Sequence, residues 1–505
     1  MKNITDYDSV NLLSPNAAEM RRLIEIAMKF IIPHQAHPDT FPLNGSGVEW
    51  LHFEGEGTNS EIENAVKLAK SVTEPLPENG HTDFEKLLRD IFDRLVPYST
   101  NDNSGGYLAY IPSGGLFLSV LADFISLSLN RYVTMFMAAP GLAAIENQVV
   151  RWLCDIIGLP PEAGGVLTSG GSIATITVIH AARTNQLTDR NLSQGTIYVS
   201  EQAHHCIEQG LVLCGFSQKN IRKIATDNDF RIRLSLIEKA IERDKTDGLH
   251  PFLLVASAGT TNTGAVDNIL EIGKLAQKYN MWFHVDAAYG GFFMLTERGK
   301  SLMKGIEQAD SVVLNPHKGM FLPYGIGALL VKNKNQLQKS FDFTGTYLPA
   351  LPNEINSHVP EDIMHLSPEL TREFRGFRIW LPLKMLGIKP FREQLDEKLN
   401  LAQWITEQLL QIPNIRIVAH PQLSILAFKL EPSGYDLSPK ELDNLNIKLL
   451  DAINRRGNIL LSPFRSTHNV DGEFAIRIAI LSFRTTKQHL EQGISDIQNT
   501  TSNLL

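Results

Sequence analysis

Cysteine is nearly absent from this chain. Three residues, Cys154, Cys206 and Cys214, are all it has. An odd, sparse set without metal-ligand spacing argues against a disulfide scaffold and a zinc site, and points to a reducing cytoplasm. Cys206, beside a histidine pair, reads as a small buried side chain. Basic tracts are missing too: the formal net charge is -8 and the pI is about 6.0. That balance disfavours nucleic acid or an anionic membrane as the main partner. No apolar run is long enough to cross a bilayer. The nearest, Leu116 to Leu129, is broken by Ser119, Asp123, Ser126 and Ser128, and reads as a buried helix. The start, Met1-Lys-Asn-Ile-Thr-Asp-Tyr-Asp8, has no apolar stretch of the secretory kind. Internal repeats and low-complexity segments are also lacking.

What remains is an ordinary globular composition, 43% apolar and 20% charged over 505 residues, long enough for several domains. Ser14-Pro15 reads as an N-cap and first helical residue. The apolar stripe Met20, Leu23, Ile24, Ala27, Met28 and Ile31 continues that helix, and Pro33 is expected to stop it. Residues 34 to 60 read as a loop. A second helix is predicted from Glu61, and Thr82-x-x-Glu85 reads as the capping box of a third. Such an arm cannot bury its apolar face alone, so it predicts a dimer. Beyond about residue 117, short β-rich runs alternate with helical stretches. The runs are Gly165–Thr168, Thr196–Val199, Pro251–Ala256, Trp282–Val285, Ser311–Leu314 and Gly327–Val331. This alternation predicts a mostly parallel sheet flanked by helices, with ligands at the carboxyl ends of its strands. A smaller α+β unit should follow, with a helix from Phe391 to Leu410 and strands at Ile415–Val418, Ser424–Leu430 and Phe474–Ile480. The expected division is an arm at 1–116, a large domain at 117–380 and a small domain at 381–505.

Two strand ends carry the chemistry. In Ser311-Val-Val-Leu-Asn-Pro-His-Lys-Gly-Met320, Pro316 ends a buried strand and Lys318 follows it at once. In Met281-Trp-Phe-His-Val-Asp286 a strand ends on an aspartate, followed by Ala287-Ala288-Tyr289-Gly290-Gly291. Pyridoxal phosphate needs a lysine amine for its aldehyde and an acid for its ring nitrogen. Thr168-Ser-Gly-Gly-Ser172 lies between a strand and a helical run. Its glycines and the helix N-terminus suit a phosphate, with Gly171 and Ser172 as donors. Ala288 is small enough to pack under a ring face.

His284-Val-Asp-Ala-Ala-Tyr-Gly-Gly291 and Asn315-Pro-His-Lys318 resemble the signature segments of the group II pyridoxal-phosphate-dependent amino-acid decarboxylases. The aromatic-L-amino-acid decarboxylases are the most similar subgroup, and the resemblance runs in order from about Tyr107 to Arg484. It implies a fold-type I homodimer with the active site at the subunit interface. It implies decarboxylation of an L-amino acid to the amine and CO2, through an aldimine on Lys318 and a quinonoid. It also implies roles residue by residue. Asn315 and His317 join Lys318 in holding the cofactor, and Thr261, in Gly259-Thr-Thr-Asn-Thr-Gly264, contacts it. A histidine stacks on the ring; of His204 and His205, counting from Gln202-Ala203 selects His204, which also touches substrate. Tyr107-Leu-Ala-Tyr-Ile-Pro-Ser-Gly114 corresponds to the substrate segment, with Tyr110 lining the pocket and Ser113 in place of a threonine. Tyr347, in Phe343-Thr-Gly-Thr-Tyr-Leu348, stands at the position of the catalytic-loop tyrosine that protonates Cα.

Departures from the pattern bear on substrate. Met135–Leu142 replaces a Ser-Pro-Ala segment, and Glu373 stands where a second arginine is common; Ile173, in place of a common glutamate, costs a helix-start carboxylate but no phosphate donor. Tyrosine, DOPA, tryptophan and a non-aromatic acid all stay open. An aldehyde synthase is the alternative within enzymes; that branch typically replaces the loop tyrosine or the stacking histidine, and both are kept. A silent scaffold is the alternative outside them, and it would be expected to lose Lys318 or Asp286.

Overall fold

The computed structural model describes residues 15–45, 59–78, 83–341, 362–466 and 472–505. They fall into two compact units, Met1–Ser104 and Gly105–Leu505. In the first, a helix spans Ala17–Ala36, capped by Asn16, whose side chain accepts the Glu19 N–H at 3.0 Å. Pro33 does not end it. A proline removes one donor, but its carbonyl still accepts, and the His37 N–H closes the last turn on Pro33 O at 2.9 Å. The helix Phe84–Asp90 is capped by Asp83, and Thr82 lies outside the described residues. A helix over Asn59–Ser71 agrees with the sequence expectation.

The second unit is built on a seven-stranded sheet. Its strands are β1 (Gly164–Thr168), β2 (Gly195–Ser200), β3 (Ile221–Ile224), β4 (His250–Ser257), β5 (Trp282–Asp286), β6 (Ser311–Leu314) and β7 (Gly327–Val331). Their order is β1-β7-β6-β5-β4-β2-β3, and only β7 runs antiparallel to its neighbours. The six expected strands are all present. β3 escapes sequence reading because Ile221-Arg-Lys-Ile224 is short and half charged, as suits a strand at the sheet edge. The apolar residues of β4, β5 and β6 are buried on both faces, under helices that include Gly171–Gln186 on one side and Ile269–Lys278 on the other.

The helix Phe117–Leu129 is not the buried helix its composition suggests. Its buried positions are Ser119, Ala122 and Ser126, and these small residues allow close packing on the helix Gly376–Leu386. Its large residues face outward: Phe124 is 49% and Leu127 65% exposed.

The smaller sheet comprises β8 (Ile415–Ala419), β9 (Ile425–Leu430), β10 (Ser462–Ser466) and β11 (Glu473–Ala479), antiparallel in the order β10-β11-β9-β8. β10 was hidden in the sequence by Pro463; it is an edge strand, where a missing donor is tolerated. The helices Pro439–Arg455 and Lys487–Leu504 bury Leu449, Ile453, Leu490 and Ile497 against Phe428, Ile476 and Ile478. Among the described residues, no helix is long and apolar enough to cross a membrane.

Candidate active site

Parallel register brings the ends of three strands level. Ser257 of β4 pairs with Asp286 of β5, which pairs with Val313 of β6. All three line one cavity of about 330 Å3, within the ~300–1,000 Å3 range of small-molecule sites. Its wall also contains Gly171, Ser172, His204, Thr261, Ala288, Asn315, His317 and Lys318. Residues read separately along about 150 positions of sequence thus meet around one space.

Lys318 sits in a single helical turn, Pro316–Gly319, directly after β6, with its N–H on Asn315 O at 2.8 Å. The cavity gives its side chain some accessible surface, yet protein encloses it. Burial lowers its pKa from the ordinary 10.5, and the Arg477 charge adds to this, while Asp286 and Cys206 oppose it. A lowered lysine releases its proton at lower pH, so more free amine is available near neutrality. Asp286 accepts the Ala288 N–H at 3.1 Å, which turns the carboxyl toward the cavity mouth of β5.

The helix Gly171–Gln186 starts at the cavity wall. The Ala174 N–H already reaches back to Gly170 O, so the N–H groups of Gly171, Ser172 and Ile173 have no partner within the helix. A Cβ on Gly171 would stand 3.0 Å from the Asn315 side chain, so a larger residue here would press on that amide. Asn315 is buried and its Oδ1 lacks a partner. Unmatched donors at a helix start, an orphaned amide and a lysine around a polar cavity fit pyridoxal phosphate. His317 bonds Ile326 O through Nδ1 at 2.5 Å, and burial lowers its pKa to about 4, so the ring is neutral at physiological pH.

His204 lines the cavity and His205 is exposed, which separates the pair that sequence counting had to choose between. The Cys206 N–H donates to His204 Nδ1 at 3.2 Å, which leaves the proton of the neutral ring on Nε2. Burial, His205 and Lys318 lower the His204 pKa, against Asp286.

Tyr110 and Ser113 do not line this cavity. The Ser113 hydroxyl donates to Leu322 O at 2.5 Å, and Tyr110 is 48% exposed with a left-handed φ of 47°. Tyr347 lies outside the described residues. Sequence reading missed Arg477. It lies on β11 and is 3% exposed. Its Nε donates to Asn262 O at 3.1 Å and its Nη1 to Ser462 Oγ at 3.2 Å, while Nη2 has no partner. Among the described residues no carboxylate pairs with it. Burial lowers its pKa to about 10, opposed by Tyr289, Tyr107 and Tyr110. Ser462 Oγ also accepts the Tyr110 N–H at 3.1 Å, so one hydroxyl joins Arg477 to the segment around Tyr110. The available signal was a lone arginine inside the apolar run Phe474-Ala-Ile-Arg-Ile-Ala-Ile480. Arg372 and Arg375 serve the scaffold: Arg372 pairs with buried Glu146, and Arg375 with Glu369 and Glu373.

A mostly parallel sheet with a lysine and an aspartate at adjoining strand ends, facing a helix start, defines a fold-type I pyridoxal-phosphate enzyme. The family described as the pyridoxal-dependent decarboxylase conserved domain matches residues 68–431. The aromatic-L-amino-acid decarboxylase of Bacillus atrophaeus is 32% identical over 96% of this chain and 96% of that protein. That of Sus scrofa is 30% identical over 84% of this chain and 87% of its own. The fold matches the crystal structure of Oryza sativa TDC with PLP and tryptamine at a TM-score of 0.87 and 22% identity, covering 97% of this chain and 98% of that one. The chain belongs to the pyridoxal-dependent decarboxylase family. It is a carboxy-lyase that uses pyridoxal phosphate to decarboxylate an amino acid.

Proposed function

We propose that the substrate is an aromatic L-amino acid and that its carboxylate meets Arg477. The observation that carries the residue assignment is the meeting of Lys318, Asp286 and the Gly171–Gln186 helix start around one cavity. The aromatic preference is supported by the relatives named above.

When bound, the cofactor supplies an electron sink conjugated to the substrate's Cα. Lys318 would hold it covalently, and burial lowers the pKa of the amine that would do so. Gly171 and Ser172 would donate backbone N–H groups to its phosphate, with Asn315, His317 and Thr261 beside them. Asp286 would accept a hydrogen bond from the ring nitrogen and favour its protonated form. Ala288 and His204 would hold the ring faces. The Arg477 guanidinium, with one free N–H pair aimed by its bonds to Asn262 and Ser462, orients the leaving carboxylate. Tyr110 and Ser113, which stand outside the cavity wall, would bear on the substrate side chain through the segment that the Ser113 hydroxyl anchors on Leu322 O. Tyr347 delivers the proton to Cα as CO2 leaves.

The dimer belongs to the same reading. Phe117, Leu121, Phe124 and Leu127 form an exposed apolar helix face, and such a face calls for a partner. A second copy of this chain covers it, helped by the arm at residues 1–116. The large and small domains then divide near residue 380. Leu127→Glu is expected to give a monomer by sedimentation; an intact dimer would remove this face from the interface. The three free, buried cysteines support a reducing, cytoplasmic setting. A screen of amino acids for CO2 release tests the substrate: fastest turnover of glutamate or a diamino acid would overturn the aromatic assignment.

A further inference from the structure

His284 is a buried histidine that the reaction as described above does not use. It is 1% exposed, on β5, two residues before Asp286. Alternate residues of a strand share a face, so Trp282, His284 and Asp286 stand in one row. The first two converge on one hydroxyl. Trp282 Nε1–H donates to Ser311 Oγ at 2.8 Å, and His284 Nδ1 lies 2.9 Å from the same oxygen. Ser311 is fully buried on β6 and pairs with His284 across the sheet. With its proton on Nε2, the neutral ring accepts the Ser311 hydroxyl at Nδ1; with its proton on Nδ1, the ring donates to Ser311 instead. Burial lowers the ring's pKa to about 4, so it is neutral at physiological pH. Among the described residues Nε2 has no hydrogen-bond partner. An orphaned ring nitrogen is thus held inside the sheet, next in the row to Asp286, and the first tautomer makes it a donor. Among the described residues Asp286 accepts one protein bond, from the Ala288 N–H.

We propose that His284 is a positioning residue of the decarboxylation. Its Nε2–H serves the Asp286 carboxylate through one bridging water, and holds that carboxylate against the cofactor's ring nitrogen. Ser311 and Trp282 set the tautomer that makes this donation available. The proposal rests on Asp286 being the ring-nitrogen partner. No metal or added ligand is involved, and the histidine does not touch the reacting carbon.

The test uses the holoenzyme loaded with cofactor labelled with nitrogen-15 in the ring. His284→Asn keeps the Ser311 bond and loses the distal donor; His284→Gln carries an N–H to the Nε2 position. In His284→Asn, the ring-nitrogen resonance is expected to move toward its unprotonated value. The cofactor should dissociate more readily from this variant, and kcat should fall by about 10-fold with KM unchanged. His284→Gln is expected to restore all three. A wild-type resonance and kcat in His284→Asn overturn the proposal. Asp286→Asn in the same experiment separates the two readings. A resonance moved there but not in His284→Asn sinks the histidine alone; one unmoved in Asp286→Asn sinks the aspartate assignment and the proposal with it. Should His284→Asn fail to fold, Ser311→Ala removes only a hydroxyl. It is expected to move the resonance in the same direction, and a wild-type resonance there overturns the tautomer argument.

Discussion

The two sides of the cavity are built differently. The cofactor side comes from neighbouring strands of one sheet: Asp286 ends β5, and Asn315, His317 and Lys318 follow β6. Hydrogen-bonded register fixes their relative positions. The proposed substrate side is assembled across the chain, from Arg477 on β11, Ser462 on β10 and the Tyr110 segment, which are joined through one serine hydroxyl and stand outside the residues that line the cavity. Its loop tyrosine, Tyr347, lies outside the described residues. A sheet end is rigid and holds a reaction type. A surface gathered from loops and a second domain varies easily and sets which molecule enters. The chemistry of this chain is therefore better defined than its substrate.

The largest expected effect belongs to the rigid side. Lys318→Ala removes the covalent anchor, and turnover should fall by about 1,000-fold or more while the thermal midpoint changes little. Absorbance of bound cofactor and CO2 release measure it. Near wild-type turnover in this variant would break the comparison at its root, since the cofactor side would not hold the reaction.

Sequence legibility follows the same division. Strand-end motifs such as Asn315-Pro-His-Lys318 are local, so their neighbours in the chain announce them. Arg477 is not local: within Phe474–Ile480 it reads as one charge in a strand, and its meaning comes from lying 3% exposed without a carboxylate among the described residues. β3 and β10 were missed for a related reason. Both are edge strands, where the paired charges of Ile221-Arg-Lys-Ile224 and the proline of Ser462-Pro-Phe-Arg-Ser466 are tolerated, and these blur the alternation that marks a strand. Pro33 misled in the opposite sense, because a helix held by its later turns tolerates one missing donor. The Phe117–Leu129 run reads as buried because hydropathy counts residues without asking which face they occupy.

Tyr347→Phe probes the variable side with its scaffold kept. It removes one hydroxyl and leaves the ring. Amine formation should fall by about 100-fold or more, the usual contribution of a positioned acid. CO2 would still be lost, and dioxygen would then take two electrons from the unprotonated carbon. The products expected under air are aldehyde, ammonia and hydrogen peroxide, with water consumed. Amine formed at the wild-type rate without peroxide would show that another group delivers the proton.

The smallest effect expected is that of Arg477→Gln, and it sharpens the comparison most. Glutamine keeps a donor for Asn262 O or Ser462 but removes the charge. If the guanidinium receives the substrate's carboxylate, one charge-assisted bond is lost. Such bonds contribute ~1.5–3 kcal/mol, or about 10–100-fold in kcat/KM. Cofactor affinity should not change, because Lys318, Asp286 and the helix start bind it from the other side. The Lys318 amine should titrate slightly higher, since the Arg477 charge is one of the influences lowering it. A buried guanidinium without a carboxylate also carries a desolvation cost, so the variant is not expected to be less stable. These directions separate carboxylate recognition from a structural role. A structural arginine would lower the thermal midpoint and loosen the Tyr110 segment, and it would weaken cofactor and substrate together. The deciding measurement compares an L-amino acid with the amine it yields, which lacks the carboxylate. Binding of the acid should weaken in Arg477→Gln while binding of the amine stays as in the wild type. Equal weakening of both would mean that Arg477 supports the pocket wall without reading the carboxylate.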